Sequence, residues 1–565
     1  MIRVLVVGGA GVFGSRLVEG LAATTDLAVI VAGRDPGRSA AAAAAVRARY
    51  PAARIETVVL DVRTATPAEL AATGAGIVVD AAGPFQGARP RLAEAAIAAG
   101  LDYLDLADAR DFVAAFPALD AAARAAGVVA ITGASSTPAL SHAVLDALTA
   151  GWTRIDRVEA GISPGNRAPR GLSVVAAILS WAGRPVRLFL DGGWTTRPGW
   201  SDTVRRRIGD LGERRLALAE TPDLDLLAAR YRPRDAALFR AGLELGLLHG
   251  GLALLALLPR AGLARSLVPL APLLRRAAAW CERFGSDRGG MIVEAAGRDG
   301  EDRPVLAAWT LVAEAGDGPS VPTLPALALV RQLAGGRGAL APGARAAAGL
   351  VGLDAVAAEA SRLRIGLARS LCHPLSPVEA ALGPSFAILP QAVGRAHRLG
   401  PVTRLAGMAE VEGPESLPAS WLAHLFRLPA AGRQVPVRVV MRLDAAGAET
   451  WERDFGGRRF RSRLSPLGPG RLRERFAPFD FELALAATTE GLTMRLVGWR
   501  LGPLALPVGL APASLARESV DAEGRFRFDV PIALPGIGRL VRYRGWLAPE
   551  PAPPRDGEPA DDRSN

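Results

Sequence analysis

Ile2-Arg-Val-Leu-Val-Val-Gly-Gly-Ala-Gly-Val-Phe-Gly14 opens the chain, and its reading decides the fold of everything up to about residue 150. Apart from Arg3, residues 2–7 are apolar and mostly β-branched, a pattern that suits a strand buried on both faces. The run is too short for the core of an export signal, and Gly8 and Gly9 interrupt it where such a core would continue. Gly9-Ala10-Gly11-Val12-Phe13-Gly14 then has the G-x-G-x-x-G spacing, directly after the strand and at the start of a helix carrying Phe13, Leu17 and Leu21 on one face. Glycine at these places permits a tight turn, close approach of a pyrophosphate to the backbone, and close packing of helix on strand. The helix start adds free N–H groups for the phosphates. A glycine-rich turn without a ligand is the plainer alternative, and the strand–turn–helix context weighs against it.

Outward from this stretch, short aliphatic runs at 27–32, 55–60, 77–81, 103–106 and 128–131 alternate with Ala-rich helical segments. Unbroken apolar strands separated by helices predict an α/β fold, a doubly wound parallel Rossmann sheet over residues 1–150. Longer strands at 155–162, 186–190, 291–296 and 305–313 predict an α+β substrate domain over 151–350, with a helix at 321–333 packing back on the first domain. The interval from the Gly, Ala and Pro of 335–349 to the Pro cluster at 374–384 reads as a linker. From 376 to 548 the periodicity turns to two, between Gly/Pro turns, which predicts an antiparallel β-rich domain. Residues 549–565 hold almost nothing apolar and are expected to be a disordered tail.

With 565 residues, the chain has room for about three or four domains. Half of it is apolar and 22% is charged, enough to build cores and too apolar for a mostly disordered protein. It contains no lysine, so Schiff-base lysines and lysine general bases are excluded, and its formal charge of +11 rests on Arg alone. Cys281 and Cys372 and five scattered histidines make neither a disulfide framework nor a metal site. Such a composition is expected of a cytoplasmic protein. Residues 241–258 need a membrane test: they are as long as a short span, yet Glu244, His249 and four glycines lie inside. A buried hairpin or core helix is the plainer reading. A helix lying on a lipid surface is the sharper one, and it would place the protein at the inner face of the membrane.

The end of the second strand decides the dinucleotide. It reads Ala32-Gly33-Arg34-Asp35-Pro36, where an NAD site wants an acid for the ribose 2′-OH. Arg34 suits a 2′-phosphate, with Arg38 and Ser39 as further candidates, whereas Asp35 before Pro36 fits a helix N-cap. NADP(H) is the expected cofactor.

These motifs resemble the saccharopine-dehydrogenase-like oxidoreductases, through residues 8–14, Ala32-Gly-Arg34, Asp61-Val62, Asp80-Ala-Ala-Gly-Pro-Phe85 and Tyr103-Leu-Asp-Leu-Ala-Asp108. The resemblance implies that Ala82, Gly83 and Pro84 lie along the nicotinamide ribose and that Asp61 and Val62 border the adenine. It is closer to the lipid-linked members, among them trans-acting enoyl reductases, than to opine-forming enzymes, which use lysine-type groups absent here. Residues 376–548 are similar to an uncharacterised domain fused to such proteins.

Hydride delivery also needs a proton donor near the strand ends. Tyr103, Asp105, Asp108, Ser135, Ser136 and His142 are the candidates, and Tyr103 and His142 are singled out as catalytic. Caps, turns and a buried helix face are the ordinary roles for the same residues. Eight arginines interleaved with aromatics over 451–476 read as the solvated face of a strand pair or as a surface for anionic headgroups. No RNP, KH or zinc-finger pattern supports nucleic acid. The expected function is NADPH-dependent reduction of a hydrophobic carbonyl or enoyl substrate. An opine- or amino-acid-type dehydrogenase and a non-catalytic NADP(H)- and lipid-binding protein are the alternatives. A small hydrophobic substrate, a membrane lipid surface and a second copy of the chain are the partners left open.

Overall fold

Apolar runs flanked by Gly-rich turns bury both faces of a sheet, and in the computed structural model, which describes residues 2–24, 26–169, 171–338, 340–398 and 400–550, they do so here. The tail expected to be disordered lies outside the described residues from 551 onward. The chain divides into two compact units. The first comprises Met1–Ala150, Val158–Ala295 and Ala308–Ser370, and the second Gly151–Arg157, Ala296–Ala307 and Leu371–Asn565.

In the first unit, β1 (Ile2–Val7), β2 (Leu27–Gly33), β3 (Arg54–Val59), β4 (Ile77–Asp80), β5 (Asp102–Asp105) and β6 (Val129–Thr132) form a parallel sheet in the order β6-β5-β4-β1-β2-β3. The helices α1 (Val12–Ala22) and α2 (Pro36–Arg49) follow β1 and β2. Crossovers reverse direction between β1 and β4, and a crevice opens there at the carboxyl ends of the strands.

Residues 335–349 are not a linker. Gly343–Ala346 pairs in parallel with β6 and adds a seventh strand to the sheet. Its four residues, Gly-Ala-Arg-Ala, carry no apolar run because the strand lies at the sheet edge, where its burial is partial. The preceding helix, Leu324–Ala334, docks on α1 as expected: Arg331 donates to Gly20 O at 3.0 Å and to Thr24 Oγ1 at 2.9 Å.

A second sheet contains Val204–Arg207, Glu213–Leu218, Ala236–Ala241, Arg154–Ser163, Gly289–Arg298, Pro304–Ala313 and Ile365–Cys372 in that order, with the hairpin Pro185–Leu190 and Gly193–Pro198 off its edge. Residues 241–258 do not make one helix. The strand ends at Ala241, a loop follows, and helices run over Gly246–Leu255 and Leu257–Arg260. Glu244 pins the loop, accepting from Asn166 N at 2.6 Å and from Ser286 N and Oγ at 2.9 and 2.7 Å. Of the expected core helix, His249 and Leu252 are buried against Trp200, Leu179 and Leu267. Among the described residues, no helix is long and apolar enough to cross a membrane.

The second unit contains the antiparallel β domain. Ten of its strands, from Val402–Glu412 to Gly538–Pro549, pair neighbour to neighbour, and Phe479–Thr488 and Gly491–Leu501 close the ring into a barrel. Period two holds along 451–476. Phe455, Ser462, Leu464 and Leu472 are buried, while Arg458, Arg459, Arg461, Arg463, Arg471, Arg473 and Arg475 are exposed. Outward arginines pair with nearby acids, such as Arg459 with Asp454 at 2.7 Å and Arg471 with Glu482 at 2.7 Å.

Candidate functional site

The glycine loop is built so that side chains have no room. Gly8 has a φ of +79°, and a Cβ on it would stand 2.8 Å from Ala82 Cα. A Cβ on Gly14 would stand 2.1 Å from Gly8 O, so the turn and α1 close on each other only with glycine there. Gly11 is the N-cap of α1 and offers no side-chain acceptor. The first N–H groups of α1, at Val12, Phe13 and Gly14, precede the first intrahelical bond, from Ser15 N to Gly11 O at 3.0 Å.

At the end of β2, Arg34 and Arg38 are exposed and line the same cavity as the loop. Asp35 caps α2, its side chain accepting from Arg38 N at 3.1 Å with Pro36 in the first turn, so its carboxylate turns away from any ribose. Ser39 lies beneath Gly33, buried, and its hydroxyl has no partner among the described residues. Two guanidinium groups and an unpartnered hydroxyl fit a 2′-phosphate. Asp61 accepts from Arg63 at 2.6 Å, and that bond, with Arg34 nearby, holds its carboxyl down at about 2. Asp61 and Val62 line the cavity, as do Ala82, Gly83 and Pro84.

Further in, Asp80 ends β4, and its Oδ1 accepts from Ala82 N at 2.8 Å. Burial, with the Asp105 charge added, pushes its carboxyl up to about 7. Tyr103 on β5 is fully buried and lines the cavity, its hydroxyl facing the carboxyls of Asp105 and Asp80. Burial first, then the neighbouring Asp105 and Asp80, drive the Tyr103 hydroxyl well above its ordinary range. Asp105 turns to the backbone behind the site, accepting from Gly133 N at 2.7 Å and Thr132 Oγ1 at 2.9 Å. Asp108 reaches the cavity and accepts from Gln86 Nε2 at 3.1 Å, and Ser135 and Ser136 also line it.

His142 is elsewhere. It lies on the helix Ser141–Leu148, fully buried beside Tyr231 and 3.7 Å from Asp223, and does not line the cavity. Burial brings its imidazole down to about 3, so it stays neutral.

The cavity encloses about 1780 Å³. One end is the glycine loop and β2. Val174, Ile178, Trp181, Trp200, Phe239 and Leu243 form apolar walls. Sequence reading missed these walls, and also an ion-pair cluster on the lining. There Arg110 bonds Asp225 at 2.5 and 2.6 Å and approaches Glu220 at 3.3 Å. Burial raises the Glu220 carboxyl despite Arg110. No local spacing signals this cluster, since Arg110 is more than a hundred positions from both acids.

Residues 4–131 match the family model for the saccharopine dehydrogenase NADP binding domain. This segment is a saccharopine dehydrogenase-type NADP-binding domain. NADP(H) is therefore the cofactor, and the chain is an NADP-dependent oxidoreductase, as the motifs of the glycine loop and β2 imply. Residues 389–547 match a domain of unknown function, DUF4166. No curated protein matches the chain. Among solved structures, it is similar to apo histidine-tagged saccharopine dehydrogenase (L-Glu forming) from Saccharomyces cerevisiae. That match has 14% identity, covers 66% of this chain and 100% of that one, and has a TM-score of 0.48. A short-chain dehydrogenase from Sphingobium yanoikuyae in complex with NADPH matches at 20% identity over 19% of this chain and 53% of that one, with a TM-score of 0.15. An alcohol dehydrogenase from Thermococcus sibiricus with 5-hydroxy-NADP matches at 16% identity over 19% and 57%, with a TM-score of 0.15.

Proposed function

We propose that the protein reduces a hydrophobic carbonyl or enoyl compound with NADPH. One observation carries the reading: the cavity that begins at the NADP-binding loop continues into walls of Val174, Ile178, Trp181, Trp200, Phe239 and Leu243. An aliphatic chain gains roughly 25 cal/mol for each Å² it buries against such walls. Opine-type chemistry would ask for cations to hold carboxylates; Arg110 on the lining is held by Asp225 and Glu220, while Arg89, Arg91 and Arg184 also reach the cavity, so the substrate assay decides between the two readings.

NADPH, when bound, supplies the hydride of a two-electron reduction. The glycine loop and the start of α1 hold the pyrophosphate, and Arg34, Arg38 and Ser39 hold the 2′-phosphate. A proton must reach the reduced oxygen or the α-carbon. Asp80 carries one near neutral pH, and Tyr103 stands beside it as the hydroxyl that can pass it on. His142 has no part in this reading, since it does not reach the cavity.

The test follows NADPH oxidation with long-chain ketones, aldehydes and 2-enoyl thioesters, against 2-oxo acids paired with amino acids. Turnover with the first group is expected. Turnover only with the second makes the protein an opine-type enzyme, and tight NADPH binding without any turnover makes it a binding protein.

A second reading concerns location. Leu247, Leu263 and Trp280 are 82%, 77% and 82% exposed, and Leu254, Leu273 and Phe284 are exposed as well. Arg260, Arg265, Arg275 and Arg276 lie between them with no ion-pair partner among the described residues. Exposed apolar side chains rimmed by free arginines suit an anionic bilayer surface. The full chain should sediment with vesicles of phosphatidylcholine and phosphatidylglycerol and release them in high salt. Leu247→Glu with Trp280→Glu should lower that binding at least tenfold. Absence of binding at low salt would discard the reading.

A further inference from the structure

A barrel of ten strands encloses more space than the eight-stranded barrels whose interiors side chains fill. In the second unit this space is a cavity of about 370 Å³, within the range that small-molecule sites occupy. Its wall is aromatic and aliphatic: Phe460, Phe481, Leu496 and Trp499 line it and remain partly exposed, while Phe460 and Leu496 also pack on the core.

The strand phase puts one arginine inside. Glu449, Trp451, Arg453 and Phe455 share the inward face of Glu449–Phe455, while the other seven arginines of 451–476 are exposed. Arg453 lies 4.7 Å over Trp451 and 5.6 Å over Phe460, donates to Ser462 Oγ at 2.8 Å, and is 3.5 Å from Glu474. On the lining, His397 Nε2 and Glu518 Oε2 are 2.7 Å apart. Glu518, with Glu449 and Glu379 beyond it, raises His397 against its burial. The two cations drawn into the wall, Arg453 and His397, thus already face a carboxylate, and Arg517, the remaining arginine on the lining, is exposed, so a charged ligand head inside would be left buried without a counter-charge.

We infer that the barrel binds a single-chain amphiphile with an uncharged oxygen head, such as a long-chain alcohol, ester or ketone, with its chain along the aromatic wall and its oxygen at Arg453. The lining lies wholly within the second unit, and the inference assumes nothing about the substrate of the NADP site.

The test uses the full chain and the neutral dye N-phenyl-1-naphthylamine. Saturable 1:1 binding is expected, displaced by 1-hexadecanol at least tenfold more strongly than by hexadecanoate. Filling the cavity with Leu496→Trp should weaken the dye at least tenfold while NADPH affinity stays unchanged. Equal or stronger displacement by hexadecanoate overturns the uncharged head, and unchanged dye binding in the folded variant overturns the site. Should that variant not fold, photolabelling of the wild-type chain with a diazirine-bearing hexadecanol decides. Adducts on residues 435–547 support the site, and adducts confined to residues 1–370 overturn it.

Discussion

At Arg34 a guanidinium that is charged at any physiological pH stands at the end of β2, and of the acids nearby Asp35 is bound to its own helix and Asp61 to Arg63. NADH therefore meets no acceptor for its ribose diol there. A hydrogen bond to a charged group is worth about 1.5–3 kcal/mol, so Arg34→Ala should weaken NADPH about ten- to 150-fold and leave NADH nearly unchanged. Fluorescence titration of both nucleotides measures this, and equal losses would assign Arg34 to the fold. Asp80 gives a pH signature. Its folded carboxyl titrates near 7 against an ordinary value near 4, so the folded state binds the extra proton between those limits. The stability this contributes is complete below pH 4 and is lost as the pH rises through 7. Asp80→Asn keeps the acceptor for Ala82 N and removes the titration. The melting temperature of the wild type should therefore fall relative to the variant between pH 4 and 7, and parallel curves would refute the shift. At this scale the nucleotide site was legible because its glycines, Arg34 and the Asp35 cap act on chain neighbours. Asp80 and His142 were not: the burial that raises one and neutralises the other comes from residues far away in sequence, such as Tyr231 and Asp223 beside His142.

Among elements, residues 335–349 were misread because composition reports flexibility, whereas an edge strand of four residues, three of them small, needs only backbone pairing. The helix Leu324–Ala334 was legible from its period. What fixes it is less visible: Arg331 joins α1 to Glu359 at 2.5 Å, on the helix Leu353–Ala360 inside the supposed linker. Removing one partner of a half-buried pair leaves the other uncompensated. Arg331→Ala should cost about 2–3 kcal/mol in urea unfolding, more than Glu359→Gln, which keeps a hydrogen-bonding side chain. An effect below about 0.5 kcal/mol would show that the clamp carries no stability.

Across the whole molecule, the change from aliphatic runs to period two marked where the barrel lies. The walls of the large cavity come from three separate stretches of chain that no local pattern connects, and so escaped the reading. The late strand Gly343–Ala346 has one more consequence, for how the protein is made. Synthesis runs from the N-terminus, and domains generally fold as their residues emerge. Here β6 waits with an open edge until the rest of the second sheet but its last strand has been translated, and an open edge is a template for pairing with other chains. A nascent chain of this protein is thus exposed to aggregation for most of the time its first unit takes to emerge from the ribosome.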